Sequence, residues 1–134
     1  MDTAEQIEDF LRGRVFAVVG ATTVRAKYGN KVLRCYLQNG RRAFPIHPRE
    51  AEVEGLKTYP DLLSLPEPVH GVSIITPPAI TERIVEDAAA AGITRLWMQP
   101  GAESPRAIQR ARELGMSVIA DGPCLLVALG FRDR

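Results

Sequence analysis

The alternation of apolar runs and helical segments predicts a single α/β domain, with a Rossmann-like, doubly wound, three-layer fold around a five-stranded parallel sheet. Three observations carry this expectation. Five short, largely apolar runs alternate with segments of helical periodicity. Each run stops at a glycine, a proline or a polar turn residue. The chain has 134 residues, enough for one core and too few for a second domain.

The elements follow in order. Thr3 is placed to cap a short amphipathic helix with Ile7, Phe10 and Leu11 on its apolar face, ending near Gly13, so residues 1–13 form an N-terminal helix packed on the domain. Val15–Val19 is an almost continuous apolar run ending at Gly20, as a parallel strand covered on both faces requires. A polar loop, Ala21–Asn30, leads to a helix over Val32–Leu37 closed by Asn39-Gly40. Arg42–Ile46 reads as the second strand, and Pro45 makes it an edge or irregular one. Tyr59–Leu65 suits a short helix after a turn at Gly55. Gly71–Ile75 is a third strand, Ala79–Ala91 an amphipathic helix, Arg95–Gln99 a fourth strand, Pro105–Leu114 a further helix and Met116–Ala120 a fifth strand. Cys124–Leu129 closes the chain as a turn or short helix. Counting strands along the chain, the expected order is 3-2-1-4-5.

Composition excludes several classes of function. A net charge of +1 with interspersed signs offers no basic face for nucleic acid, and 6% aromatic residues leave few stacking platforms. No apolar run reaches the roughly 18 residues needed to cross a bilayer, and the N-terminus has no secretory pattern, so the expected location is cytoplasmic. Cys35 and Cys124 match no disulfide framework or metal spacing, and both are expected as reduced thiols. No metal-binding motif is present.

Ligands of such sheets sit beyond the carboxyl ends of the strands, near the point where strand order reverses. After strand one, Gly20, Ala21, Thr22, Thr23 and Val24 form a small-residue turn, followed by Lys27, Tyr28 and Asn30 before a helix N-terminus. Backbone N–H groups, hydroxyls and the helix dipole there suit a pyrophosphate. The turn does not spell G-x-G-x-x-G, and no Asp or Glu ends strand two, which argues against an ordinary NAD site. Strand two ends in His47, Pro48 and Arg49, suited to the ribose-bound phosphate found in both NADP and coenzyme A; a plain strand terminator accounts for them equally well. Thr76, Pro77 and Pro78 present a rigid apolar ledge for an adenine ring or a pantetheine arm, and also read as a turn with proline at the first helical position. Gln99, Pro100 and Gly101 follow strand four, offering an amide and close backbone approach; Trp97 reads as core. His70 precedes strand three, at the end away from the site, and is expected in solvent. Asp121-Gly122 reads as a turn, and no nucleophile–base pair emerges, so no catalytic residue is assigned.

Taken together, Val18-Val19-Gly20-Ala21-Thr22, Phe44-Pro45-Ile46-His47-Pro48, Ile74-Ile75-Thr76-Pro77-Pro78 and Leu96-Trp97-Met98-Gln99-Pro100-Gly101 resemble the CoA-binding domain family, over residues 14 to about 130. The small stand-alone members similar to the N-terminal domain of the succinyl-CoA synthetase α-subunit are the nearest likeness. The resemblance implies that Gly20–Val24, Lys27, Tyr28 and Asn30 surround the phosphates, that Pro48 and Arg49 approach the adenosine end, that Thr76-Pro77-Pro78 contact the nucleotide and that Gln99-Pro100-Gly101 line its mouth. Family members often carry Ser where Thr22 stands and Asn where His47 stands, and have Cys-Pro where this chain reads Pro123-Cys124, so no role for Cys124 carries over. The synthetase's phosphorylated histidine lies in another domain, and ligase chemistry does not carry over with it. The expectation is a nucleotide-binding protein that holds coenzyme A or an acyl-CoA without transforming it. Two alternatives stand beside it: an NADP-linked oxidoreductase or other nucleotide-dependent enzyme, and a subunit of a larger acyl-CoA ligase-like assembly with a protein partner.

Overall fold

A computed structural model describes all 134 residues. The elements are α1 (Thr3–Leu11), β1 (Val15–Val19), α2 (Tyr28–Gln38), β2 (Arg42–Ile46), β3 (Glu52–Val53), β4 (Leu56–Lys57), a 3₁₀ turn (Leu62–Ser64), β5 (Gly71–Ile74), α3 (Pro78–Ala90), β6 (Arg95–Met98), α4 (Pro105–Glu113), β7 (Ser117–Ile119) and one π-helical turn (Leu126–Gly130). β1, β2, β5, β6 and β7 form a parallel sheet in the order β2-β1-β5-β6-β7, and β3 pairs with β4 in a small antiparallel hairpin.

Period-two alternation splits the core between the two faces of the sheet. Ala17, Val19, Val72, Ile74, Leu96 and Met98 pack beneath α3, α4 and the 3₁₀ turn. Phe16, Val18, Trp97 and Ile119 pack on the other face with Phe10 of α1, Val32, Leu33 and Tyr36 of α2, and Leu125. Trp97 is fully buried, meets Phe10 edge to face at 5.3 Å and donates its indole N–H to Pro123 C=O, so it belongs to the core as expected. Each such large apolar side chain contributes about 1.5–3 kcal/mol on burial. The one polar pair at the centre, Tyr36 hydroxyl and Ser73 Oγ at 2.6 Å, satisfies itself.

Several expectations are corrected. The strand order is 2-1-3-4-5 in chain order, not 3-2-1-4-5: β5 lies on the far side of β1, paired from Phe16↔Gly71 to Val19↔Ile74. The reason is that the outer edge of β2 is already closed at its carboxyl end. Pro45 has no N–H to offer there, its C=O accepts from Tyr59 N–H at 3.0 Å, and Tyr59 C=O accepts from His47 N–H at 3.0 Å. Tyr59 therefore belongs to this bridge rather than to a helix, and only Leu62–Ser64 is helical; the β3–β4 hairpin was not foreseen. Helix α2 begins at Tyr28, one turn before Val32, inside the stretch read as loop. The cap of α1 is Asp2, whose carboxylate accepts from Glu5 N–H at 2.8 Å while Glu5 reaches back to Asp2 N–H.

Helix α1 packs on the α2 face of the sheet, close to the amino-terminal ends of β5 and β6. Arg95 of β6 pairs with Asp9 at 2.8 Å, and His70 donates from Nε2 to Asp9 C=O at 2.9 Å while its ring stands edge-on to Phe16. His70 is thus half-buried packing, not a solvated side chain. This leaves the opposite, carboxyl end of the sheet as the place where the βα loops gather. No helix is long and apolar enough to cross a membrane.

Candidate functional site

In the order β2-β1-β5-β6-β7 the direction of winding reverses between β1 and β5, so the position where sheets of this kind take ligands is over the carboxyl ends of those two strands. The loops converging there are Gly20–Lys27 and Ile75–Pro77, with Gln99–Gly101 one strand further along and His47–Arg49 one strand to the other side.

Two glycines set the close backbone packing at this position. A Cβ on Gly20 would stand 2.0 Å from Ile75 C=O, and one on Gly29 would stand 2.0 Å from Gly20 C=O. The turn after β1 and the first turn of α2 are therefore stacked backbone on backbone against β5, a packing that any side chain would prevent. Gly20 also has φ +97°, in the left-handed region. Its role is close packing within the protein as well as any close approach to a ligand.

Helix α2 opens without a side-chain cap, because Lys27 supplies only its backbone at that position. The N–H groups of Tyr28, Gly29 and Asn30 donate to no protein acceptor, whereas α1 and α4 are capped by Asp2 and Ser104. Three free donors at the positive end of a helix, beside the exposed Lys27 and Thr23, fit an anionic group such as a pyrophosphate. Thr22 Oγ1 accepts from Val24 N–H at 3.2 Å and shapes the loop; Val24 itself is exposed.

The Asn30 side chain takes a different part from the one expected. It is fully buried, donates to Thr22 C=O at 2.9 Å and to Glu54 at 3.1 Å, and accepts from Arg34 Nε at 2.6 Å. Every polar atom is spent inside the protein, so Asn30 reaches a ligand only through its backbone N–H. Arg34, nearly buried, also donates to Arg25 C=O at 2.7 Å and pairs with Asp133 at 3.2 Å, and Arg25 pairs with Glu54. The tip of the β3–β4 hairpin thus holds both ends of the loop after β1. The Asn30 hydrogen bond, joined by Arg25, keeps the Glu54 carboxyl below its ordinary 4.5 despite its burial. The spacing of Asn30 and Arg34, four apart on one helix, is a signal the sequence carried; Glu54, at φ +50°, gave none.

At the carboxyl end of β6, Gln99 is fully buried rather than lining an open mouth. Its Oε1 accepts from Leu125 N–H at 2.9 Å and from the Tyr28 hydroxyl at 3.1 Å, and Cys124 contacts the same hydroxyl. Because Leu125 N–H requires an acceptor, the amide orientation is fixed and Nε2 faces elsewhere with no partner. Leaving such a donor unmet costs about 1–3 kcal/mol. Burial, and then the contact with Cys124, raise the Tyr28 hydroxyl well above its ordinary value of 10, so it stays a donor. Burial, and then the neighbouring Cys124, push the thiol of the fully buried Cys35 up to about 11; it lies just behind this cluster, facing Leu125 C=O. Both cysteines are free thiols.

The remaining expected residues lie on the same rim. Pro77 and Pro78 are exposed, Pro78 being the first residue of α3, so the ledge and the helix start coincide; Thr76 Oγ1 meets Thr81 Oγ1 at 2.8 Å. Pro100 and Gly101 are exposed, and Gly101 N–H is taken by Glu103. Pro48 and Arg49 are exposed, while His47 Nδ1 accepts from Arg49 and Glu50 N–H at 3.0 and 2.9 Å, which leaves only its Nε2 side free. Asp121, at φ +62° before Gly122, is an exposed turn residue. No group of three or more His, Cys, Asp or Glu side chains is placed to hold a metal ion.

Residues 14–130 match the family model described as a CoA binding domain. The chain belongs to that family. Among curated proteins, this CoA-binding domain is 26% identical over 124 residues to the α-subunit of the ADP-forming acetate–CoA ligase II of Pyrococcus furiosus, covering 84% of this chain and 27% of that one. It is 28% identical over 74 residues to the ADP-forming acetate–CoA ligase I of Archaeoglobus fulgidus, covering 55% of this chain and 11% of the relative. The domain therefore spans only a small part of these relatives. Among solved structures, a conserved hypothetical protein of Pyrococcus furiosus is 36% identical with a TM-score of 0.81, covering 85% of this chain and 97% of that one. The dinucleotide-forming acetyl-coenzyme A synthetase 1 of Candidatus Korarchaeum cryptofilum is 29% identical with a TM-score of 0.68, covering 78% of this chain and 25% of that one.

Proposed function

We propose that this domain binds coenzyme A, or an acyl derivative of it, across the crevice between β1 and β5 and does not itself transform the ligand. The observation that carries this reading is the uncapped start of α2, with three free N–H groups beside Lys27, in a member of the CoA-binding domain family. The pyrophosphate sits on those donors and the turn Gly20–Val24. Arg49, with Pro48, meets the phosphate on the ribose, and Pro77 and Pro78 flank the nucleotide. What supports binding without catalysis is the set of side chains at hand: His47 spends Nδ1 on backbone, His70 lies at the other end of the sheet, and Cys124 contacts the Tyr28 hydroxyl rather than an imidazole or carboxylate. The cytoplasm is the proposed location.

Titration calorimetry of the ligand-stripped protein with coenzyme A, 3′-dephospho-coenzyme A and NADP tests the reading. Saturable binding in that order of preference is expected. Preference for NADP would replace it with the oxidoreductase reading, and binding of none would overturn both.

The ligase relatives favour a second reading, in which this domain is one subunit of an acyl-CoA ligase-like assembly and a partner chain supplies the chemistry. A partner recovered with the tagged protein, and acyl-CoA synthesis appearing only in the mixture, would establish it; a protein that remains alone and saturates with coenzyme A keeps the first.

A further inference from the structure

The turn after β6 holds two buried polar atoms that the protein leaves without partners, Gln99 Nε2 and Glu103 Oε2. Gln99 is not free to turn and resolve its own deficit, because its oxygen is held by Leu125 N–H and the Tyr28 hydroxyl. Tyr28, whose hydroxyl donates to this amide, and Cys124, which contacts that hydroxyl, are both partly exposed, so a ligand that displaces Tyr28 opens a way to the amide. The position of this donor along the rim decides which part of the ligand it meets. With the phosphates over β1 and β5 and the adenosine end drawn toward Arg49 after β2, the rest of the molecule leaves the crevice toward β6. Adjacent strands stand about 4.8 Å apart, so Gln99 lies within reach of a chain of that kind.

Resting on the coenzyme A reading above, we infer that Gln99 is a specificity-determining residue whose Nε2 donates to a carbonyl oxygen of the pantetheine arm, and so selects coenzyme A among adenine nucleotides. That oxygen has two sources, an amide carbonyl of the arm itself or the thioester carbonyl of an acylated form. An arm bearing amides also supplies an N–H for Glu103, which a bare phosphate does not.

The test compares coenzyme A, acetyl-coenzyme A and 3′-phosphoadenosine 5′-diphosphate, which keeps the nucleotide and lacks the arm, in titrations of the wild type and Gln99→Glu. The variant keeps an oxygen for Leu125 and Tyr28 and removes the donor. Both thioester and free forms are expected to weaken about tenfold or more, and the diphosphate to bind as before. A loss confined to acetyl-coenzyme A assigns the thioester carbonyl; a loss shared with coenzyme A assigns the amide. Equal losses for all three, or none, would overturn the assignment. Should Gln99→Glu not fold, the side-chain NH₂ resonances of Gln99 in the wild type decide: they shift with coenzyme A and stay in place with the diphosphate, or the inference is wrong. Wild type that binds none of the three would defeat the coenzyme A reading itself, a different result from binding all three alike.

Discussion

Two constraints meet at Gly20: a left-handed backbone, and Ile75 C=O lying where a Cβ would stand. Gly20→Ala is therefore expected to destabilise the fold as well as any ligand site, lowering the urea midpoint by an amount equivalent to at least about 1–3 kcal/mol. A variant with unchanged stability and lost affinity would instead give Gly20 a purely ligand-facing role. Arg49 presents the opposite case, an exposed side chain whose backbone N–H is held by His47 and whose guanidinium is not spent on any ion pair. Arg49→Ala is expected to leave the melting temperature unchanged and weaken coenzyme A by about 1.5–3 kcal/mol, with little effect on the 3′-dephosphorylated form. Equal losses for both ligands would remove the phosphate from Arg49. At this scale the sequence identified which residues gather on the rim but not how their side chains are used. Asn30 and Gln99 are polar types that a loop reading assigns to ligand, and only the packing shows that Asn30 is fully satisfied inside while Gln99 keeps one atom unmet.

Helix α2 and the β3–β4 hairpin act together on the loop between β1 and α2. The start of α2 was hidden in the sequence because Tyr28, Gly29 and Asn30 read as turn residues, and Gly29 in a first helical turn has its reason only in the contact with Gly20. The hairpin was hidden because two-residue strands carry no periodicity. Its tip residue Glu54 has a carboxyl held below 4.5, so its contribution is present above that value and is lost as pH falls through the lowered one. Asp9, held below 3.8 chiefly by its hydrogen bond with Arg95, adds a loss of the same sign at lower pH. Glu54→Gln is expected to be less stable than wild type at pH 7 and to lose less of its stability between pH 5 and pH 3, on the order of one proton's linkage. Parallel acid profiles in urea unfolding would place Glu54 outside this network. Because the hairpin holds Thr22 and Arg25 through Asn30 and Arg34, the same variant is expected to bind every adenine nucleotide more weakly by a similar factor.

For the whole molecule, the class of fold was legible because five short strand-like runs, the first almost continuously apolar, alternate with helical segments and each has a clear stop. The strand order was not, although Pro45 held the clue: an edge strand at β2 is incompatible with a third strand beyond it, and the structure has β2 at the edge. The difference bears on function, since it moves the expected ligand position from between β1 and β6 to between β1 and β5, where the loops Gly20–Lys27 and Ile75–Pro77 converge. Assigned backbone amide spectra recorded during titration with coenzyme A test this placement most directly. The largest shifts are expected on Thr22–Asn30 and Thr76, with a second set at Gln99 and Leu125. Shifts centred instead on Arg42–Phe44 and Lys57, at the open edge of β2, would contradict it.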